Sequence, residues 1–345
     1  MTKLGRIAAL VVLLLTGTAP AMAQDLAKNI LTGGPTGTYI QIGRDIAGLM
    51  ETCGQTLTVR ESAGSLENFL GVRNRPATQF GIVQSDVLEY LQTYSADDPD
   101  IARAVAGVRI AFPLYNEEVH ILASRDIEGL SDLAGKRVAI GVADSGTFLT
   151  ASLILDLTGT EPGETLTIGP DDSMAQLLDG QIDAFFYVAG APTVLFEETG
   201  IDAERFHLLP ISDEVLQAVY TPAEIPAGTY AFQDGPLDVV AVKAVLMTYE
   251  YVPTRNTYHR ASCQAVSDVS NLILTQFETL RGEGHPKWQK VDLNDLPPGW
   301  EIASCVNSGL AADYVPNCPN VSPPPMEQNV TNSVYRERIC AAIGC

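Results

Sequence analysis

Short apolar runs alternate with longer amphipathic segments along most of the chain. The runs have the length and the β-branched or aromatic content of buried strands, and the segments carry apolar residues at helical spacing. This alternation predicts an α/β protein with mainly parallel sheets flanked by helices. The predicted strands are 29–32, 56–60, 80–83, 105–112, 118–124, 138–142, 182–188, 206–209 and 239–248. The predicted helices are 39–53, 65–74, 86–94, 147–157, 174–179 and 262–280.

A polar, proline-containing stretch interrupts this pattern at residues 113–117. We expect the strand before it to end one lobe and the strand after it to begin a second lobe. The chain is expected to return to the first lobe near residue 211. Beyond residue 290 the alternation stops and prolines cluster. The predicted organisation is lobe I at 24–113 plus 211–290, lobe II at 114–210, and an irregular C-terminal extension at 291–345.

The first residues follow the order of a secretory signal peptide. Lys3 and Arg6 supply positive charge, and residues 7–15 form an unbroken apolar run. Ala21 and Ala23 then occupy the −3 and −1 positions of a cleavage site. The apolar run is too short to span a bilayer. We therefore expect a signal peptide at 1–23 and a soluble, exported mature protein, with an uncleaved N-terminal anchor as the alternative.

The cysteines also indicate export. An even number of cysteines in an exported protein predicts disulfides, and four of the six lie in the last 41 residues. The sequence contains no Cys-x-x-Cys pair and no histidine at zinc-finger spacing, so we expect no structural metal. The pairing stays open at this stage. The disulfide candidates are Cys53, Cys263, Cys305, Cys318, Cys340 and Cys345.

The charge balance excludes some classes of partner. Without residues 1–23 the chain carries 19 basic and 42 acidic residues, a net charge of −23. Such an acidic protein is not expected to bind nucleic acid or an anionic membrane surface. The net charge does not identify the ligand as a cation, because it describes the whole surface rather than a pocket.

Four polar turns lie just after predicted strands and just before predicted helices. In an open α/β sheet, ligands bind beyond the carboxyl ends of the strands, where the N–H groups of a following helix attract carboxylates or phosphates. Glycine lets the backbone approach a ligand, and Ser and Thr add hydroxyl groups. Helix capping alone explains any one such turn, but four together predict a ligand site. The turns are 32–39, 62–65, 84–86 and 144–147.

These turns belong to an ordered set of short motifs. The set begins with Gly33-Gly-Pro-Thr-Gly-Thr-Tyr39, Ser62-Ala-Gly-Ser-Leu-Glu-Asn68 and Gly81-Ile-Val-Gln-Ser-Asp86. It continues with Leu114-Tyr-Asn-Glu-Glu-Val-His120, Asp132-Leu-Ala-Gly-Lys-Arg-Val138, Ser145-Gly-Thr147, Asp183-Ala-Phe185 with Gly190, and Ile225-Pro-Ala-Gly-Thr-Tyr230. In this order and spacing, over residues 28–290, the chain resembles the TAXI family, the solute receptors of one branch of TRAP transporters.

The resemblance implies a fold and a function. The fold would be a two-lobed, type II-like periplasmic binding protein, whose lobes are joined by crossing strands and close on the ligand. Family ligands include glutamate-like amino acids and small dicarboxylates, so the resemblance implies a small anionic or zwitterionic solute. It also implies a monomer without a cofactor that delivers this solute to TRAP membrane permease subunits, driven by an ion gradient.

The resemblance also implies which residues face the ligand. The assigned positions lie in the four turns, on the helices that follow them, and in a further glycine turn after residue 188. They are Thr36, Gly37, Thr38, Tyr39, Ser65, Asn68, Gln84, Ser85, Asp86, Ser145, Gly146, Thr147, Ala189 and Gly190.

Structural roles stay open for several of these residues. Tyr39 has a ring and a hydroxyl, so it fits either a ligand contact or core packing beneath the loop. Asp86 fits either an acceptor for a ligand ammonium or a cap for its helix. Asn68 lies on the same helix face as Ser65 but fits a solvated position as well. Pro35 departs from the family pattern, and its fixed φ stiffens the first turn.

The sequence also bears on two other function classes. For an enzyme, the chain has neither a Gly-x-Ser-x-Gly elbow nor a His-Glu-x-x-His motif, and none of its four histidines lies in a recognisable catalytic setting. We therefore expect no catalytic activity. A periplasmic protein that reports its ligand to a membrane sensor is the second alternative, because the same fold can present its closed form to such a partner.

Overall fold

The computed structural model describes residues 26–94 and 98–319. Within them the chain forms a ten-stranded sheet flanked by helices. The strands are β1 (Asn29–Leu31), β2 (Thr58–Arg60), β3 (Thr78–Gln84), β4 (Val108–Ser124), β5 (Arg137–Ala139), β6 (Glu164–Leu166), β7 (Ala184–Ala189), β8 (Phe206–Leu208), β9 (Thr221–Ile225) and β10 (Leu237–Tyr249). The helices are α1 (Thr38–Thr52), α2 (Ser65–Asn74), α3 (Ser85–Tyr94), α4 (Pro99–Gly107), α5 (Gly146–Thr158), α6 (Pro170–Leu178), α7 (Val194–Glu198), α8 (Glu214–Val219), α9 (Thr257–Thr275), α10 (Phe277–Glu283) and α11 (Ser304–Leu310).

The sheet is mixed. Its strand order is β2-β1-β3-β10-β4-β7-β5-β6, with β8 beside β4 and β9 beside β10. Towards each edge the strands are parallel, β1 with β2 and β3, and β5 with β6 and β7. In the centre, β4 and β10 are antiparallel to each other and to their other neighbours. The predicted α/β fold with helices flanking a sheet is confirmed, and its parallel pairing is confined to the two outer parts.

Strands β4 and β10 connect the two halves of the sheet. β4 pairs with β10 from Val108 to Glu118 and with β7 from Glu118 to Ala123. β10 pairs with β9 up to Ala241 and with β3 from Ala244 onward. The half that contains β1–β3 (the first half) and the half that contains β5–β7 (the second half) therefore share two continuous strands.

The turn predicted at residues 113–117 is wrong, because these residues lie inside β4. Pro113 cannot donate a hydrogen bond to the ladder, and it lies where the register between β4 and β10 shifts. Glu117 and Glu118 remain in the strand because each has a buried partner, the Tyr39 hydroxyl and the Lys287 ammonium. Residues 105–107, predicted as the start of a strand, end α4 instead.

Helices cover both faces of each half. In the first half, α1, α9 and α11 pack on one face and α2, α3 and α4 on the other. In the second half, α5 and α8 pack on one face and α6 and α7 on the other. Leu216 and Tyr220 share a core with Ile154 of α5. The predicted return of the chain to lobe I at residue 211 stays a prediction. Leu216 and Tyr220, which it assigns to lobe I, pack instead in the second half.

Two disulfides attach the C-terminal segment to the first half. Cys263 on α9 is bonded to Cys305 on α11, and Cys53 at the end of α1 is bonded to Cys318. The extension, predicted to be irregular, thus includes a helix that packs on α9. Such disulfides are typical of an oxidising compartment.

Some predictions concern parts of the chain that are not described. The signal peptide at 1–23, Cys340 and Cys345 lie outside the described residues. Within 26–94 and 98–319, no helix combines the length and the apolar character that crossing a bilayer requires.

Candidate ligand-binding cavity

A cavity of about 80 Å³ lies between the first and second halves, beyond the carboxyl ends of β1, β3 and β5. On the same measure one water needs roughly 10–15 Å³, so the space suits a small molecule. Every one of the four turns predicted from the sequence contributes to its wall. The lining residues are Gly33, Gly34, Gly37, Thr38, Tyr39, Ala63, Gly64, Ser65, Gln84, Glu117, Gly141, Val142, Ser145, Gly146, Thr147, Pro170, Phe186, Tyr187, Val188 and Ala189.

The first turn brings the start of α1 to the cavity. Gly37 is the residue before the helix, and no side chain caps this helix end. A Cβ at Gly37 would lie 3.3 Å from the Tyr187 hydroxyl, so glycine permits a close approach of the two halves. Thr38 lines the cavity and also donates a hydrogen bond to the Gly190 carbonyl (2.7 Å). Thr36 does not line the cavity, and its hydroxyl lies 3.3 Å from Asp171 of α6.

Tyr39 joins the first turn to β4. Its hydroxyl donates a hydrogen bond to the Glu117 carboxyl group (2.7 Å) and lies 3.5 Å from the Ser65 hydroxyl. Burial raises the pKa of Tyr39 well above its usual value, and the nearby Glu117 raises it further. The side chain therefore combines core packing with a polar end at the cavity.

The start of α2 is already occupied by the second half. The N–H groups of Leu66 and Glu67 both donate to the Asp144 carbonyl (3.0 and 3.2 Å). Gly64, before the helix, has φ +129°, a value that favours glycine. Ser65 lines the cavity and accepts a hydrogen bond from the Gln84 N–H (3.2 Å).

Asn68, one turn further along α2, is fully buried and does not line the cavity. Its amide group donates to the carbonyl oxygens of Thr32 and Ile82, and its Oδ1 accepts from Ser62 (2.6 Å). These bonds connect α2 to β3 and to the residue that follows β1.

The junction of β3 and α3 contributes one lining residue. The Gln84 side chain faces the cavity, whereas Ser85 accepts a hydrogen bond from the Lys243 N–H (3.1 Å) outside it. Asp86 also lies outside the lining and accepts a hydrogen bond from Thr150 of α5 (2.6 Å). Burial raises the pKa of Asp86 to about 6, despite this hydrogen bond.

The start of α5 forms the opposite wall. Ser145 caps the helix by accepting from the Phe148 N–H (3.0 Å), and Thr147 accepts from the Val188 N–H (3.1 Å). At Gly146 a Cβ would lie only 1.5 Å from Gln84 Oε1. Glycine is therefore required there for the Gln84 side chain to lie across the first turn of α5.

The end of β7 closes the remaining side. Ala189 lines the cavity, whereas Gly190 does not. A Cβ at Gly190 would lie 2.6 Å from the Tyr115 ring, so the role of this glycine is close packing. The chain then turns through a cis peptide between Ala191 and Pro192.

Two prominent lining residues were not identified from the sequence. Glu117 was placed in a turn, although it lies in β4 and is only 1% exposed. Tyr187 lies in β7, where an aromatic residue in a strand gives no local sign of a ligand contact. The glutamate pair within the motif 114–120 was the available signal for the first of them.

Burial shifts the pKa values of ionisable groups in the cavity wall. Burial raises the pKa of Glu117 well above its usual value, and the charges of Asp86 and Glu118 raise it further against the opposing effects of Tyr39 and Lys287. Burial likewise raises the pKa of Tyr187. Among the described residues, no cluster of three or more His, Cys, Asp or Glu side chains has the arrangement of a metal site.

Several solved structures and one protein family are similar to this chain. The periplasmic binding protein BugD is 11% identical, with a TM-score of 0.47 over 76% of this chain and 84% of that chain. A structure described as a periplasmic transporter is 14% identical, with a TM-score of 0.48 over 76% and 89%. The periplasmic VFT2 domain of BvgS from Bordetella pertussis is 12% identical, with a TM-score of 0.38 over 73% and 94%. The sequence itself matches the NMT1-like family over residues 30–260, more than half of its length, and the protein belongs to that family.

Proposed function

We propose that the protein is an exported receptor that holds a small carboxylate-bearing solute in this cavity. The observation that carries the proposal is the convergence of the N-termini of α1 and α5 on one cavity. The first N–H groups of a helix have no intrahelical partner, and the helix dipole favours negative charge beside them. The two disulfides support export to the periplasm.

The proposed contacts are the resemblance-based positions that line the cavity. They are Gly37, Thr38, Tyr39, Ser65, Gln84, Ser145, Gly146, Thr147 and Ala189, to which Glu117 and Tyr187 are added. The remaining positions, Thr36, Asn68, Ser85, Asp86 and Gly190, are proposed to support this wall through the contacts described above.

Thermal unfolding with a panel of amino acids and dicarboxylates tests this function. A true ligand at 100 times its Kd should add about 2.7 kcal/mol to the free energy of unfolding. Gly146→Ala should weaken binding by about tenfold or more, because its Cβ displaces the Gln84 amide from the cavity wall.

Gly48→Ala is the matched control, since a Cβ at this α1 position meets nothing within 4 Å. It should leave the affinity unchanged. Equal affinities for both variants, or no stabilisation by any carboxylate in the panel, would contradict the proposed site.

We further propose that the solute is a glutamate-like amino acid or a dicarboxylate, and that a TRAP-type permease receives it. Vesicles containing the permease subunits should take up the solute only when both the receptor and an ion gradient are present. Uptake that requires ATP would contradict this route. Binding without any uptake would favour the alternative, a periplasmic protein that signals to a membrane sensor.

A further inference from the structure

Glu117 is a buried carboxyl group at the wall of the cavity. It lies in β4, is 1% exposed, and is reached from α1 by the Tyr39 hydroxyl, which donates a 2.7 Å hydrogen bond to Oε2. A buried carboxylate is stable only when it is paired or fully hydrogen-bonded. The Tyr39 bond alone leaves most of its acceptor capacity unused.

Glu117 forms no ion pair with any described residue. The ammonium group that acts on Glu117, Lys287 Nζ, donates instead to both carboxylate oxygens of Glu118 (2.5 and 2.7 Å) and to the Asn116 carbonyl (2.9 Å). Asp86 and Glu118, the other acidic groups that act on Glu117, add negative charge. The protein therefore places an acceptor of positive charge in the cavity wall without supplying the positive charge.

A second acceptor lies in the same cavity wall. Gln84 Oε1 is buried and has no hydrogen-bond partner among the described residues. The starts of α1 and α5 line the same cavity and offer N–H donors. One cavity wall thus combines the Glu117 carboxyl group, whose one side-chain hydrogen bond comes from Tyr39, with the unpartnered Gln84 oxygen and two helix N-termini. This set suits a molecule that carries both a cationic donor group and a carboxylate.

We propose that Glu117 binds a protonated amine of the solute, so that this receptor selects amino acids over the corresponding carboxylic acids without an amine. The inference rests on the proposed function, because it concerns the solute of the same cavity. It assigns to Glu117 the role of ammonium acceptor that the sequence had suggested for Asp86, whose carboxyl group is bonded to Thr150.

Binding is then linked to proton release. In the empty cavity, burial and the acidic neighbours raise the pKa of Glu117 and so favour its neutral carboxyl group. When the ammonium binds, the carboxyl proton leaves to solvent and a carboxylate–ammonium pair remains, so affinity rises as the pH rises towards the pKa of Glu117. The titratable groups that act on or face Glu117 are Tyr39, Asp86, Tyr115, Glu118, Tyr187 and Lys287.

Calorimetry with matched pairs of probes tests the proposal on the full protein. The pairs are L-glutamate with glutarate and L-alanine with propionate, in which only the amine differs. We expect at least one amino acid to bind about 10- to 100-fold more tightly than its partner. The heat of binding of this amino acid, measured in buffers of different ionisation enthalpy, should show that a proton is released.

Glu117→Gln keeps the shape and the Tyr39 contact but cannot carry the charge. It should weaken amino-acid binding by about 10- to 100-fold and abolish proton release. Glu89→Gln, an exposed glutamate on α3, is the control and should change neither. Thermal unfolding of each variant verifies that it is folded.

The possible failures are distinguishable. If neither amino acid binds more tightly than its amine-free partner, or if Glu117→Gln retains affinity and proton release, the amine assignment is overturned and the carboxylate receptor stands. If no member of either pair binds, both this inference and the proposed function are overturned.

Discussion

Two buried carboxamides beside the cavity have different hydrogen-bonding states. Asn68 donates to the carbonyls of Thr32, just after β1, and Ile82 in β3, and it accepts from Ser62, so its hydrogen-bonding capacity is used within the protein. Gln84, at the end of β3, has an oxygen without a partner and faces the cavity. The same type of side chain is therefore structural at the first position and available to a ligand at the second.

Alanine variants at the two positions should separate stability from binding. Asn68→Ala removes the amide donor of the Thr32 and Ile82 carbonyls and leaves Thr32 with the Ser62 hydroxyl. We expect a loss of about 2 kcal/mol in the free energy of unfolding. Its affinity for solute should be unchanged. Gln84→Ala should instead weaken solute binding and leave the free energy of unfolding unchanged. Urea unfolding and calorimetry measure both effects, and a loss of affinity in Asn68→Ala at full stability would contradict the assignment.

Helices α3 and α5 meet through one buried hydrogen bond between the two halves. The Thr150 hydroxyl donates to Asp86 (2.6 Å), and the carboxyl group is nearly inaccessible to solvent. Burial raises the pKa of Asp86 from 3.8 to about 6. The contact between the helices is therefore sensitive to pH in the mildly acidic range.

The stability of the protein should reflect this shift. Because the folded pKa is raised, the neutral carboxyl group favours the folded state below about pH 4, and this contribution is lost as the pH rises through about 6. The loss should be on the order of a few kcal/mol. Asp86→Asn should flatten this part of the stability curve, as measured by urea unfolding across the pH series. An unaltered pH dependence in the variant would assign the effect to other groups.

Across the whole molecule, residues distant in sequence meet at the centre of the sheet. Lys287, from the segment after α10, forms a buried ion pair with Glu118 of β4, and Glu118 also accepts from the Ala191 N–H (2.8 Å). Thr38 and Gly190 add a hydrogen bond between the halves. With these contacts formed, the halves are in direct contact around the cavity.

Removing one partner of the buried ion pair between Lys287 and Glu118 should destabilise the protein more than replacing both partners. Lys287→Met leaves the Glu118 charge without its partner and should lower the free energy of unfolding by about 3–5 kcal/mol. Adding Glu118→Gln removes that charge and should recover a large part of the loss. Urea unfolding of both single variants and the double variant measures the coupling. Additive effects in this cycle would contradict a direct interaction.

Local chemistry in the sequence determined much of the architecture. Helix α2 begins at Ser65 and ends at Asn74, as its polar turn and helical spacing predicted. All four predicted junctions between a strand and the next helix are present, because glycines and capping residues act through bonds to the next few residues of the chain. Those features need no knowledge of distant contacts.

Tertiary structure decided which residues of those turns reach the cavity. Asp86 and Asn68 have the right chemistry for ligand contacts, yet their partners, Thr150 and the β1–β3 backbone, come from other elements. Glu117 has the sequence signature of a solvated turn and becomes a buried strand residue because Tyr39 reaches it from α1. A local pattern specifies helix starts and turns, whereas the burial and pairing of a polar side chain depend on which distant elements pack against it.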